Sequence, residues 1–167
     1  MKKLLFVALL LLTKASFANV PSIMEVRSLY EKAVTDESAC NKLIEMLSPY
    51  NENNNPLYAG YQASAIMMMA KHVFNPFSKM SYFKRGKSIL ETAIKADENN
   101  IELRFLRFNA QTHIPSFLGY DDSIQIDTKF LMNSFPNIQD LQLKEFLLPY
   151  LRKSNYISED KKAQLQL

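Results

Sequence analysis

This sequence predicts an all-α fold of antiparallel helical hairpins, about six to eight helices in all. Two observations carry that reading. The 167-residue chain has only three glycines and no tryptophan, and its apolar residues recur at the three-to-four-residue interval of a helix, while no segment alternates as a half-buried strand does.

The first element is not part of the fold. Met1-Lys2-Lys3, an apolar run from Leu4 to Leu12 and the segment Ser16-Phe17-Ala18 are the three regions of a secretory signal peptide in their usual order. Nine apolar residues fall short of the ~20 that span a bilayer. The expectation is cleavage after Ala18, export to the periplasm or the extracellular space, and one helical domain over residues 19–167 with no stable membrane insertion. Removing Lys2, Lys3 and Lys14 from the 20 basic residues leaves 17 against 17 acids. A formally neutral domain has no basic footprint for nucleic acid, and overall neutrality equally removes support for polybasic docking to anionic lipid. The single cysteine, Cys40, cannot form an internal disulfide, so the fold rests on its apolar core, and Cys40 itself reads as a small core residue.

The first helix starts at Pro21-Ser22, where Ser22 and Glu25 have capping-box spacing and Val26, Leu29, Tyr30 and Ala33 share one side. A second spans residues 37–47 and ends before Pro49. The asparagine-rich stretch 50–56 is a loop. Residues 57–74 are apolar or small in every direction around a helix, which marks a buried one. Met67, Met68 and Met69 point about 100° apart and read as core filler rather than as a metal site. After the break at Asn75-Pro76, residues 78–96 form an amphipathic helix with Gly86 and Ala93 in its apolar arc. A turn at Asp97-Glu98-Asn99-Asn100 leads into a helix over residues 101–114, and the loop Pro115-Ser116-Phe117-Leu118-Gly119-Tyr120 is apolar enough to pack down. Residues 124–132 and 138–148 are further helices; Pro136-Asn137 separates them and Pro149 ends or kinks the second. The tail 154–167 is polar and expected to fray.

Gly86, Ala93 and the turn from Ala96 to Asn100 carry a family resemblance. This stretch resembles the second helix of a tetratricopeptide-type hairpin, and the resemblance implies a right-handed helical stack and a peptide-binding role. Glu98 stands where such repeats place proline, and no second copy follows at the ~34-residue period. The combination I-E-L-R-F-L-R-F with P-S-F-L-G-Y is also similar to small exported bacterial helical proteins of no assigned activity.

On the helix over residues 101–114, Ile101, Phe105 and Phe108 form one apolar stripe and Leu103, Leu106, Ala110 and Ile114 another, so the helix is sandwiched. Two polar wedges lie between: Arg104, Arg107 and Gln111 on one side, Glu102, Asn109 and His113 on the other, one expected to face solvent and one a groove. Guanidinium groups one turn apart can hold a carboxylate or phosphate, which makes Arg104, Arg107 and Gln111, with Phe117 and Tyr120 of the next loop, the candidate binding residues. The structural alternative is an internal ion pair with Asp127, or with Asp121 or Asp122. Two histidines, His72 and His113, without H-E-x-x-H or paired cysteines imply no metal site. No nucleophile elbow, phosphate loop or dinucleotide fingerprint is present, so no cofactor and no catalytic residue is assigned. The leading expectation is an exported module that binds a protein or peptide partner. The second is a binder of a small anionic ligand, or a hydrolase, using a pocket between Arg104, Arg107 and the 115–120 loop.

Overall fold

A computed structural model describes residues 20–164; the export signal read over residues 1–18 and the last three residues of the tail lie outside the described residues. Among those described, every regular element is helical: α1 (Ile23–Ala33), α2 (Glu37–Met46), α3 (Pro56–His72), α4 (Pro76–Ala96), α5 (Ile101–His113), α6 (Ile124–Ser134), α7 (Leu141–Lys153) and α8 (Glu159–Gln164). Short 3-10 turns occupy Ser116–Leu118 and Phe135–Asn137.

Local chemistry sets the starts of these helices. Ser22, Asp36, Asn55, Asn75, Asn100 and Asp140 each stand at an N-cap and accept a hydrogen bond from a first-turn backbone N–H, satisfying donors that the helix cannot. Two boundaries differ from the sequence reading for one reason. Asn55-Pro56 and Asn75-Pro76 read as loop and break, yet in both the asparagine caps and the proline occupies the first helical position, where its missing N–H costs nothing. α4 therefore begins two residues earlier than its apolar arc suggests.

The other corrections concern the last third of the chain. α6 runs on to Ser134, and α7 starts at Leu141 on the Asp140 cap rather than at Ile138. Pro149 neither ends α7 nor separates Tyr150 and Leu151 from it. Pro149 and Glu145 are both exposed, so the Glu145 carbonyl that loses its helical donor is left on the solvent side, where hydration replaces the bond. The tail is tied down at its start, since Ile157 is buried.

α3 is the hub. It carries eleven buried residues from Tyr58 to Met69 and packs on α1, α2, α4 and α5. Met67 and Met69 are buried and Met68 packs against the core. Close approach on both flanks depends on glycine. A Cβ at Gly86 would sit 2.6 Å from the Ala63 carbonyl oxygen, so α4 lies backbone to backbone on α3; a Cβ at Gly60 would collide with the Leu103 side chain from α5. The two stripes of α5 separate accordingly. Leu103 and Leu106 meet α3 at Gly60, whereas Phe105 meets Phe146 and Tyr150 of α7 edge-on, with ring centroids 5.5 and 5.0 Å away. Tyr30 of α1 then reaches Phe146 at 6.1 Å. Helices α1, α3, α5 and α7 thus share one aromatic cluster through Tyr30, Tyr61, Phe105 and Phe146.

Cys40 is buried and its thiol lies 3.0 Å from the Ala65 carbonyl oxygen. Burial and the nearby Glu37 push the thiol up to about 11, so it stays protonated at neutral pH.

Candidate functional site

The arginine wedge of α5 is occupied by the protein itself. Arg107 donates from Nε and Nη2 to the two carboxylate oxygens of Asp127 at 2.7 and 2.8 Å, and from Nη1 to Glu91 at 2.9 Å. Arg104 donates to the same Asp127 at 3.1 Å and to the Glu98 carbonyl at 2.9 Å, while its guanidinium lies over the Phe130 ring at 5.2 Å. Tyr120 closes the chain by donating to the other Glu91 oxygen at 2.7 Å. Two cations face two carboxylates, so the cluster is neutral. Burial works against the charge on Arg107, but its hydrogen bonds to Asp127 and the fields of Asp127 and Glu91 outweigh it and hold the guanidinium above its ordinary value. Burial, followed by the bond to Glu91, raises the Tyr120 hydroxyl in turn.

The remaining candidates do not join this cluster. Gln111 is buried and its Oε1 accepts no hydrogen bond from the described residues. Phe117, expected to pack down, is 84% exposed. Its loop is held by its neighbours instead: Leu118 packs on the core, Tyr120 is buried and Lys87 of α4 lies 4.6 Å from the Tyr120 ring centre. That leaves Phe117 at the outward position of a single 3-10 turn.

In the opposite wedge only Glu102 departs from the expectation of a solvent or groove face, since Asn109 and His113 line a cleft and His113 is exposed. Glu102 is buried and accepts a bidentate pair from Arg27 of α1, both bonds 2.8 Å, together with the Tyr61 hydroxyl of α3. Burial opposes the charge on Arg27, and the bonds to Glu102 overcome it and raise its affinity for the proton. Arg27 escaped the sequence reading because it stands on an otherwise apolar face, and nothing local announces a partner 75 residues away.

Asn109 and His113, about two and three turns further along that wedge, open onto a cleft between the C-terminal halves of α1, α3, α5 and α7. The cleft has two parts that share Asn109, His113 and Tyr150. One is a trough of about 450 Å³ flanked by Glu31, Phe108, Lys153 and Tyr156. The other is a narrower hollow of about 160 Å³ walled by Val34, Met67, Met68, Leu106, Ala110 and Ile114. The Tyr30 hydroxyl accepts from Asn109 Nδ2 at 2.6 Å. His113 Nδ1 lies 2.8 Å from the Asn109 carbonyl oxygen, which can only accept. In the neutral ring the proton therefore sits on Nδ1 and the lone pair on Nε2. Burial and the charge of Glu31 push the Tyr150 hydroxyl up to about 12, and burial, with a smaller contribution from Tyr150, raises that of Tyr30, so both remain neutral donors.

This arrangement is suited to recognition: an apolar pit, a wider polar trough, and donors and acceptors at their junction. No carboxylate backs His113, whose Nδ1 partner is a backbone carbonyl. Among the described residues no three His, Cys, Asp or Glu side chains converge to hold a metal, and no helix is long and apolar enough to cross a membrane. The cleft was only half legible in the sequence. Asn109 and His113 were visible at helical spacing, but Tyr150 reaches it only because α7 passes through Pro149. Comparison with protein-family models, curated proteins and solved structures finds no match to this chain.

Proposed function

We propose that the chain is an exported helical module that binds a protein or peptide segment in the cleft between α1, α3, α5 and α7. The observation that carries this reading is the junction at Asn109, His113 and Tyr150, where a methionine-lined hollow meets a polar trough. A peptide fits that division: one apolar side chain enters the hollow, whose Met67 and Met68 walls adapt to its shape, while the adjoining backbone exchanges hydrogen bonds with Asn109, His113 Nε2 and the tyrosine hydroxyls. Glu31 and Lys153 in the trough and Lys71 in the hollow supply charges of both signs along its path.

Packing of consecutive helices as the pairs α1–α2, α3–α4 and α5–α6 supports a tetratricopeptide-like stack. A small anionic ligand held by Arg104 and Arg107 is less well supported, because such a ligand would have to displace Asp127, which holds both guanidiniums.

The test is affinity capture from the exported fraction of a native host with wild-type protein and Ala110→Trp, which fills the hollow. The expected result is a polypeptide retained by wild type and lost by Ala110→Trp, with both proteins melting within a few degrees of each other. A defined metabolite co-purifying in place of a polypeptide would overturn the reading.

A further inference from the structure

The corner between α3 and α4 projects two phenylalanines straight into solvent: Phe74 is 98% exposed and Phe77 87%. Asn75 and Pro76 between them fix the corner, as cap and first residue of α4, so the two rings are presented by a rigid turn. Met80 and Lys84 share the outward face of α4 with Phe77 by their spacing of three and seven, and both are exposed. The charge around the corner is one-sided. Between Glu52 and Glu91 the sequence contains no aspartate or glutamate, but it contains Lys71, Lys79, Lys84, Arg85 and Lys87. Among the described residues Lys71, Lys79, Lys84 and Arg85 have no acid within ion-pair distance. A domain that is neutral as a whole has therefore segregated its charge and left this corner cationic and aromatic.

From this we infer that the α3–α4 corner docks on the surface of a bilayer containing anionic phospholipid. Exposed aromatic rings flanked by unpaired cations match the two layers of such an interface: the rings enter the boundary of headgroup and acyl chain and the lysines meet the phosphates. The shape fits a bilayer better than a protein ligand. Phe74 and Phe77 stand almost fully out of the protein and line neither the trough nor the hollow, and a lipid surface receives protruding side chains where a peptide needs a concavity. The inference does not rest on the peptide-binding cleft: neither phenylalanine lines it, and of the corner's cations only Lys71 does.

The experiment is co-sedimentation of the natively processed protein with vesicles of phosphatidylglycerol and phosphatidylcholine, against vesicles of phosphatidylcholine alone. The comparison includes Phe74→Ser/Phe77→Ser and Lys79→Glu/Lys84→Glu. Wild type is expected to bind the anionic vesicles, at least roughly tenfold less to neutral ones, and more weakly at ~1 M salt, where exposed charges are screened. The phenylalanine pair is expected to lower binding roughly tenfold, and the lysine pair to remove the preference for anionic lipid. Because all four side chains are exposed, the variants retain the wild-type melt. Failure of wild type to bind either vesicle would overturn the inference. So would binding that the phenylalanine pair leaves unchanged, or light scattering showing that Phe74→Ser/Phe77→Ser only converts a dimer to a monomer.

Discussion

Helix α5 holds two buried charge clusters on opposite sides, and they solve the same problem to different degrees. On one side it supplies the acid: Glu102 receives Arg27 from α1 and Tyr61 from α3. On the other it supplies the bases: Arg104 and Arg107 receive Asp127 from α6, with Glu91 of α4 and Tyr120 behind. Both use a bidentate arginine–carboxylate pair with a tyrosine hydroxyl donating to an acid. The first is a single bidentate pair with little in reserve. Among the described residues Arg27 has one further acid, the half-exposed Asp140 at 3.6 Å, and its Nη1 finds no acceptor. The second is a chain whose ends reach water, since the Arg104 side chain is 17% exposed and that of Glu91 30%. A buried charge is tolerated only with its partner in place, so redundancy decides how much each cluster can lose.

That difference orders the mutational effects. The largest is expected for Glu102→Ala, which strands Arg27 inside the protein and should cost about 3–5 kcal/mol, read from urea unfolding. A loss below 1 kcal/mol would show that Arg27 swings to Asp140 and that this reserve suffices. Asp127→Ala should cost less, about 2–3 kcal/mol, because Glu91 still holds Arg107 and Arg104 can turn to solvent; a loss as large as that of Glu102→Ala would erase the contrast. Next comes Arg104→Ala, at about 1 kcal/mol, and a melting temperature that collapses would make Arg104, rather than Arg107, the anchor of Asp127. Tyr120→Phe at neutral pH should be comparable or smaller, about 0.5–1.5 kcal/mol for one hydrogen bond.

Alkaline titration sharpens the same contrast. Tyr61 and Tyr120 both have hydroxyls held above their ordinary value, first by burial and then by the acid each one bonds. Above pH ~10 the unfolded chain releases these protons while the folded protein keeps them. Stability is thus complete below pH ~10 and falls as pH rises toward the folded-state values. Chemical unfolding from pH 8 to 11 should show that decline, and Tyr61→Phe and Tyr120→Phe should each flatten it. A slope unchanged in both variants would mean that neither cluster governs the alkaline limit.

The sequence was most informative where one helix face decides the outcome. The buried character of α3, the arc of α4 around Gly86 and the two stripes of α5 were legible because apolar periodicity reports burial directly. Arg104, Arg107 and Asp127 could be grouped because two lie one turn apart and the third follows in the next helix. Arg27 and Glu102 could not be paired, since their meeting depends on α1 and α5 flanking the same part of α3, a tertiary fact with no local trace. Of the two outcomes expected at Pro149, an end and a kink, the end does not occur. Whether a proline stops a helix depends on whether the orphaned carbonyl reaches water, and that depends on how α7 is seated.

The contact of Tyr30 and Arg27 with Phe146 has a consequence for cooperativity. An open stack of helical repeats holds each unit only by its neighbours, so its ends can melt separately. Here the first and seventh helices share one aromatic core, and releasing either exposes Phe105 and Tyr30 together. Unfolding should therefore be a single all-or-none transition, with fluorescence and circular dichroism curves superimposed. Neither α1 nor α7 could be trimmed away as a spare repeat.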